Sequence, residues 1–188
     1  MRGPIVGVLL AAGSASRFGG GKLLALLPDG TPIGVTALKH LAAVVDSVVA
    51  VVRPQDDPLA GALVACGGRV TRCPQAAEGI GASLAWGVRA APVAAAWLIA
   101  LADMPWVEPA TMAGVVDALR RGAAIAAPSR LGVRGHPVGF AAACYAELSA
   151  LSGDEGARAV LARHEVAQID TDDVGILRDV DTRQDLEN

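Results

Sequence analysis

An α/β fold with a mostly parallel central sheet and helices on both faces is predicted by three observations. Apolar runs of strand length recur at residues 5–10, 47–52 and 95–101, without the polar alternation of a half-exposed strand. Segments with apolar residues at helical spacing lie between them. Turn signals such as Pro28-Asp29-Gly30 and Gly67-Gly68 punctuate the boundaries. Strands alternating with helices imply crossover connections, hence parallel neighbours covered on both sides. A length of 188 residues suits a single domain over 1–188 that buries roughly 70% of its unfolded surface without a metal or disulfide staple.

The elements follow in order. Residues 5–10, IVGVLL, form the first strand, and a glycine-rich loop leaves it. Residues 32–45 read as a helix, 47–52 as the second strand, and 56–66 as a short helix closed by Gly67 and Gly68. A weaker strand at 69–73 precedes a helix at 83–91 with Ser83 as its N-cap. The fourth strand spans 95–101, and Pro109 opens a helix over 109–121. The last third is less regular: strands at 123–127 and 138–142 flank a polar loop at 129–135. Helices near 143–151 and 155–163 then lead to a strand at 166–169. No repeat or low-complexity linker marks a second domain.

Composition excludes several classes. Hydrophobic residues make up 53% and aromatics 3%, so the core must be built from Ala, Val and Leu. The apolar runs are too short to span a bilayer, so no membrane association is expected. A secretory leader would need a longer run than 5–10, which also contains Gly7. Three cysteines, Cys66, Cys73 and Cys144, without Cys-x-x-Cys spacing argue against a disulfide framework or zinc site, and for a reducing, cytoplasmic setting. A net charge of -3 gives no general field for nucleic acid.

Chemistry is expected where the first strand stops. Gly13, Gly19, Gly20 and Gly21 surround Arg17 and Lys22, so backbone amides and two cations can converge on one anion such as a nucleotide phosphate tail. A Walker A loop is excluded, because Ser16 and Leu23 stand where it needs glycine and Ser or Thr. A dinucleotide fingerprint fails as well, with Leu24 in its last glycine place, which weakens a dehydrogenase reading. Asp103 directly follows the fourth strand, and a carboxylate beside a polyphosphate calls for a divalent cation, Mg²⁺, between them. A turn or N-cap role for Asp103 is the alternative.

Asp179-Val180-Asp181 offers a second carboxylate, with strand spacing placing both aspartates on one face. Asp181-Thr182 also suits the cap of a last helix. Gly79-Ile80-Gly81-Ala82-Ser83 could present free amides and a hydroxyl to a nucleotide, or simply begin a helix. His136, between Gly135 and Pro137, could contact a second substrate or hydrogen-bond its own loop.

Read together, these stretches resemble the nucleotidyltransferases that mature the molybdenum cofactor, specifically the cytidylyltransferase group of the MobA-like NTP transferases. The likeness runs through LAAGSASRFGGGKLL at 10–24, EGIGASLAWGV at 78–88, LADMPWV at 101–107, GHPVGF at 135–140, GDEGAR at 153–158 and DVDTRQDL at 179–186. The resemblance implies a three-layer α/β/α Rossmann-like, nucleotide-diphospho-sugar transferase (GT-A-like) fold. It also implies transfer of a nucleoside monophosphate to a phosphorylated acceptor with release of pyrophosphate.

On matching motifs, Arg17 and Lys22 would bind the β and γ phosphates, and Leu10, Ala11, Ala12 and Gly13 the nucleotide. Asp103 and Asp181 would hold Mg²⁺, with Asp179 the alternative to Asp181. Gly81 and Ser83 would hold the nucleoside, and His136 would face the acceptor. Ala12 is similar to the cytidylyl group, where guanylyl relatives tend to carry glycine. CTP is therefore the expected donor and a pterin-type molybdenum cofactor the acceptor, with a molybdenum hydroxylase or its maturation factor as recipient. GTP with another phosphorylated acceptor, or a non-catalytic carrier of the pterin cofactor, are the alternatives.

Overall fold

The central strand β1 (Ile5–Leu10) is buried along its whole length, and its alternate side chains feed two separate cores. In the computed structural model, which describes residues 3–13, 18 and 20–186, β1 pairs in parallel with β2 (Ser47–Val52) on one side. On the other side it pairs in parallel with β4 (Ala96–Leu101). Beyond β2 lies the short parallel strand β3 (Arg69–Arg72). The chain thus moves outward from β1 to β3, then returns to the opposite side of β1. The strand order reverses between β1 and β4, the place where open α/β sheets bind ligands.

The rest of the sheet departs from parallel. β7 (Val138–Ala141) runs antiparallel between β4 and β5 (Ile125–Arg130), and β6 (Val133–Arg134) forms a hairpin with β5. β8 (Ala167–Asp170) adds a parallel pairing to β5. The polar loop expected at 129–135 is therefore mostly strand and hairpin. Its turn is Leu131-Gly132, both at positive φ, and only the glycine advertises that conformation in sequence.

Helices cover both faces. α1 (Ile33–Ala42), α2 (Asp57–Ala65) and α4 (Pro109–Arg120) pack on the core that includes Ile5, Leu9, Leu41, Leu63 and Leu119. α3 (Ile80–Arg89), α5 (Tyr145–Ser149) and α6 (Arg158–Arg163) pack on the core that includes Val6, Val8, Leu84, Trp97 and Phe140. The result is the three-layer α/β sandwich with a mostly parallel sheet. Local signals explain several boundaries: the Asp56 side chain accepts from the Leu59 amide at the start of α2, and Pro109 occupies the first turn of α4. No described helix is long and apolar enough to cross a membrane.

One boundary differs in a way that matters for the site. α3 begins at Ile80 rather than 83, with Gly79 at its N-cap position, so Ser83 is a buried residue of the second turn and caps nothing. The sequence signal misled because Ser83 resembles a cap, whereas Gly79 at φ 131° adopts a backbone that only glycine enters freely.

Candidate active site at the strand-order reversal

The carboxyl ends of β1 and β4 are tied together before any side chain is considered. The Ala102 amide donates to the Leu10 carbonyl at 3.1 Å, and the Ala11 amide donates to Val51 O of β2 at 2.9 Å. Asp103 therefore projects from a turn fixed against β1. Lys22 enters from a 3₁₀ turn (Lys22–Leu24) that follows Gly20 and Gly21, both at positive φ. Its Nζ donates to Asp103 Oδ2 at 2.7 Å and stands 3.9 Å from Asp181 Oδ1. The lysine side chain is only 10% exposed, against 28% for Asp103 and 46% for Asp181.

Asp181 reaches this point by packing rather than by strand geometry. The segment around it is not a strand, so the expected common face for Asp179 and Asp181 does not form. Instead Val180 is fully buried in a small cluster with Phe18, Leu27 and Ile33, and its amide donates to Asp103 O at 2.9 Å. Asp185 then holds the turn. Its Oδ2 accepts from the amides of Asp181 and Thr182, at 2.9 and 2.6 Å, and from Thr182 Oγ1 at 2.9 Å. These bonds, the Thr182 amide foremost, keep the Asp185 carboxyl below the usual carboxylate range. Asp181 is thus part of the cap of the last 3₁₀ turn and also a neighbour of Lys22; the two sequence readings are compatible.

Electrostatically, one ammonium faces two carboxylates, which leaves a local excess of negative charge and an all-oxygen donor set. That chemistry fits a hard divalent cation. Among the described residues no group of three or more His, Cys, Asp or Glu could hold a metal. A cation here would rest on Asp103 and Asp181 and take its remaining ligands from water and substrate oxygens, the habit of Mg²⁺ in phosphate sites.

A cleft of about 620 Å³ opens from this cluster, large enough for a nucleotide. Leu10, Ala12, Gly13, Lys22, Ser83, Asp103 and Asp181 all line it. Ala11 does not; its side chain is buried under the sheet and its amide is spent on Val51. Arg17 lies outside the described residues.

The far end of the cleft is built where α3 meets residues 152–154. The Gly81 amide donates to Gly153 O at 2.9 Å, and a Cβ on Gly81 would stand 2.6 Å from Ser152 O. Gly81 thus has no free amide for a nucleotide. Its lack of a side chain instead lets two backbones touch. Asp154 lines the cleft beside the Ile80 amide, 3.4 Å from its Oδ1.

His136 stands apart from the cleft lining. Its backbone amide donates to Ile176 O at 3.0 Å, while ring Nδ1 is buried and has no partner among the described residues. Burial lowers its pKa, opposed by Asp103 and Asp179 and assisted by Arg134, so the neutral ring is favoured. Its side chain is not what bonds the loop, and it lies within electrostatic reach of Asp103.

Sequence reasoning missed Arg53, Glu78 and Asp154, which all line the cleft. Arg53 carried a usable signal, a cation directly after the second strand, where side chains enter the ligand crevice. Glu78 and Asp154 fall within the resembling stretches at 78–88 and 153–158, but only the fold brings the two residues to the same cleft.

The comparisons with known proteins agree with this geometry. Residues 7–169 match the MobA-like NTP transferase domain. The chain is 33% identical over 201 residues to the purine catabolism protein PucB of Bacillus subtilis (strain 168), covering 100% of this chain and 97% of that protein. Among solved structures it superposes on Rv0371c from Mycobacterium tuberculosis H37Rv with a TM-score of 0.86 and 28% identity, over 100% of this chain and 97% of that one. The complex of Rv0371c with manganese superposes at a TM-score of 0.82 and 26% identity, over 98% and 96% of the two chains. With its nucleotide-sized cleft at the strand-order reversal and a family match over most of its length, the chain belongs to the MobA-like NTP transferases, a nucleotidyltransferase family.

Proposed function

We propose that the chain transfers CMP from CTP to a phosphorylated acceptor, a pterin-type molybdenum cofactor, and releases pyrophosphate. The observation that carries this reading is the Lys22–Asp103–Asp181 cluster at the mouth of a nucleotide-sized cleft. Ala12 on the cleft wall favours the smaller pyrimidine base, and the manganese complex of a relative supports a divalent ion. The proposal covers residues 1–188 as one nucleotidyltransferase domain. Three free cysteines, two of them buried, suit a cytoplasmic setting, with a molybdenum hydroxylase or its maturation factor receiving the product.

An acceptor phosphate oxygen forms the new bond to the α-phosphorus, and the bond from that phosphorus to the oxygen bridging to the β-phosphate breaks. The acceptor phosphate is already anionic at neutral pH, so alignment matters more than a general base. Lys22, with Arg17, binds the β and γ phosphates and offsets charge on the departing pyrophosphate. To do so Lys22 exchanges its bond to Asp103 for phosphate oxygens, which frees Asp103 to act with Asp181 as the metal-holding pair. Bound Mg²⁺ would supply further charge neutralisation at the phosphate oxygens. His136, neutral and outside the nucleotide cleft, serves the acceptor side, and Ser83 contacts the nucleoside.

Pyrophosphate release is the test, measured with purified protein, CTP or GTP, Mg²⁺ and molybdenum cofactor. Release that needs CTP, metal and cofactor together supports the reading. Release with GTP alone reassigns the donor, and tight cofactor binding with no release from any nucleotide favours the carrier instead.

A further inference from the structure

We infer that Arg53 reads the nucleobase through a pair of adjacent hydrogen-bond acceptors on one base edge. The inference rests on the nucleotidyltransferase reading above and deepens it by assigning a specificity residue.

Arg53 directly follows β2, on the side of β1 away from β4, and lines the cleft. Its Nε donates to Ala12 O at 2.9 Å, which ties the guanidinium to the loop leaving β1. Its two Nη groups make no hydrogen bond or ion pair with the described residues. Lys22, the other cation among the described lining residues, is by contrast held by carboxylates. Arg53 is therefore half-buried, positioned, and still has its end-on fork of donors to offer.

Position decides what the fork meets. The phosphate-handling cluster sits at the carboxyl ends of β1 and β4, whereas Arg53 leaves β2 on the other side of β1, and Leu10, Ala12, Ala76, Ile80 and Ser83 line the same cleft. A nucleotide with its phosphates at Lys22 places its base at the β2 end. A guanidinium offers two parallel N–H donors, and the matching edge carries two neighbouring acceptors. Cytosine has such an edge in O2 and N3, and guanine in O6 and N7. Uracil interposes the N3–H donor between its two carbonyls, and the N1 and N7 acceptors of adenine each adjoin its amino group. Arg53 therefore favours cytosine or guanine over uracil and adenine.

The experiment is calorimetric binding of CTP, GTP, UTP, ATP and inorganic tripolyphosphate, with Mg²⁺, to the unsubstituted protein, Arg53→Lys and Arg53→Ala. The expected result is preference for CTP or GTP in the unsubstituted protein. Both variants should lose roughly ten- to a hundredfold in affinity for the preferred nucleotide, the worth of one bidentate pair, while tripolyphosphate binding stays unchanged and certifies the fold. If GTP is preferred, 7-deaza-GTP, which lacks N7, should bind the unsubstituted protein about as weakly as GTP binds Arg53→Lys. Equal CTP and UTP affinities would overturn the inference. So would an equal loss for nucleotide and tripolyphosphate, which would make Arg53 a phosphate ligand. Absence of all nucleotide binding to the unsubstituted protein would instead overturn the functional reading, and the inference with it.

Discussion

Replacing Asp103 with asparagine tests the charge cluster in two independent ways. The substitution keeps the size and one acceptor oxygen but removes the charge that faces Lys22 Nζ at 2.7 Å. At an effective dielectric of about 20, that pair is worth about 6 kcal/mol of gross attraction, and the remaining Lys22–Asp181 contact at 3.9 Å about 4 kcal/mol. Desolvation of the nearly buried lysine cancels much of both terms. Removing one partner of a buried pair ordinarily costs about 3–5 kcal/mol. Here Asp181 remains and Asp103 is 28% exposed, so a net loss of about 1–2 kcal/mol is expected.

For a chain of this length each kcal/mol lowers Tm by about 2–4 °C, well within calorimetric resolution. The second readout is nucleotide binding. Asp103→Asn should abolish the Mg²⁺-dependent part while leaving metal-free binding intact or slightly stronger, because Lys22 is freed toward the phosphates. An unchanged Tm would refute the electrostatic reasoning, and unchanged Mg²⁺-dependent binding would refute the metal assignment.

Three further outcomes are expected. Gly81→Ala drives a Cβ to 2.6 Å from Ser152 O, a backbone atom that cannot step aside, so stability should fall by about 1–3 kcal/mol in urea titration; full tolerance would disprove the close approach. Glu147 joins α5 to α6 through His164 at 2.6 Å and Arg163 at 2.7 Å, and these contacts, His164 first, hold its carboxyl below the usual range. Its stabilisation is therefore present above about pH 4 and lost as pH falls through the lowered value, so Glu147→Gln should flatten the acid limb of a stability–pH curve, and an acid limb as steep as that of the unsubstituted protein would contradict this. Leu131→Asn should stabilise by about 1 kcal/mol, because Leu131 sits at φ 51° in a two-residue hairpin turn and is 87% exposed, where asparagine tolerates the backbone and loses no packing; a lower Tm would contradict this.

Much of the layered fold could be read from residues alone. The runs at 5–10 and 47–52 are strands buried on both faces, and uninterrupted apolar character of that length has few other outcomes. Asp103 was recognisable because it lies just beyond the end of β4, and Lys22 because it closes the glycine-rich loop that leaves β1; both are local properties. The hairpin at 129–135 and the antiparallel insertion of β7 were not, since strand pairing there depends on partners distant in sequence and on a leucine held at positive φ.

Tertiary structure alone decided three features of the site. It brought Asp181 to Lys22 by burying Val180 against Phe18 and Ile33, a contact that no spacing rule encodes. It consumed the Gly81 amide on Gly153, turning an apparent anion nest into a backbone junction. It turned Arg53 into the cleft and anchored it on Ala12. Sequence determines which segments bury and which chemistry leaves each strand, because those depend on periodicity and local backbone preference. Which of those groups meet depends on the strand order and on packing between layers, and both are settled only when the whole chain closes.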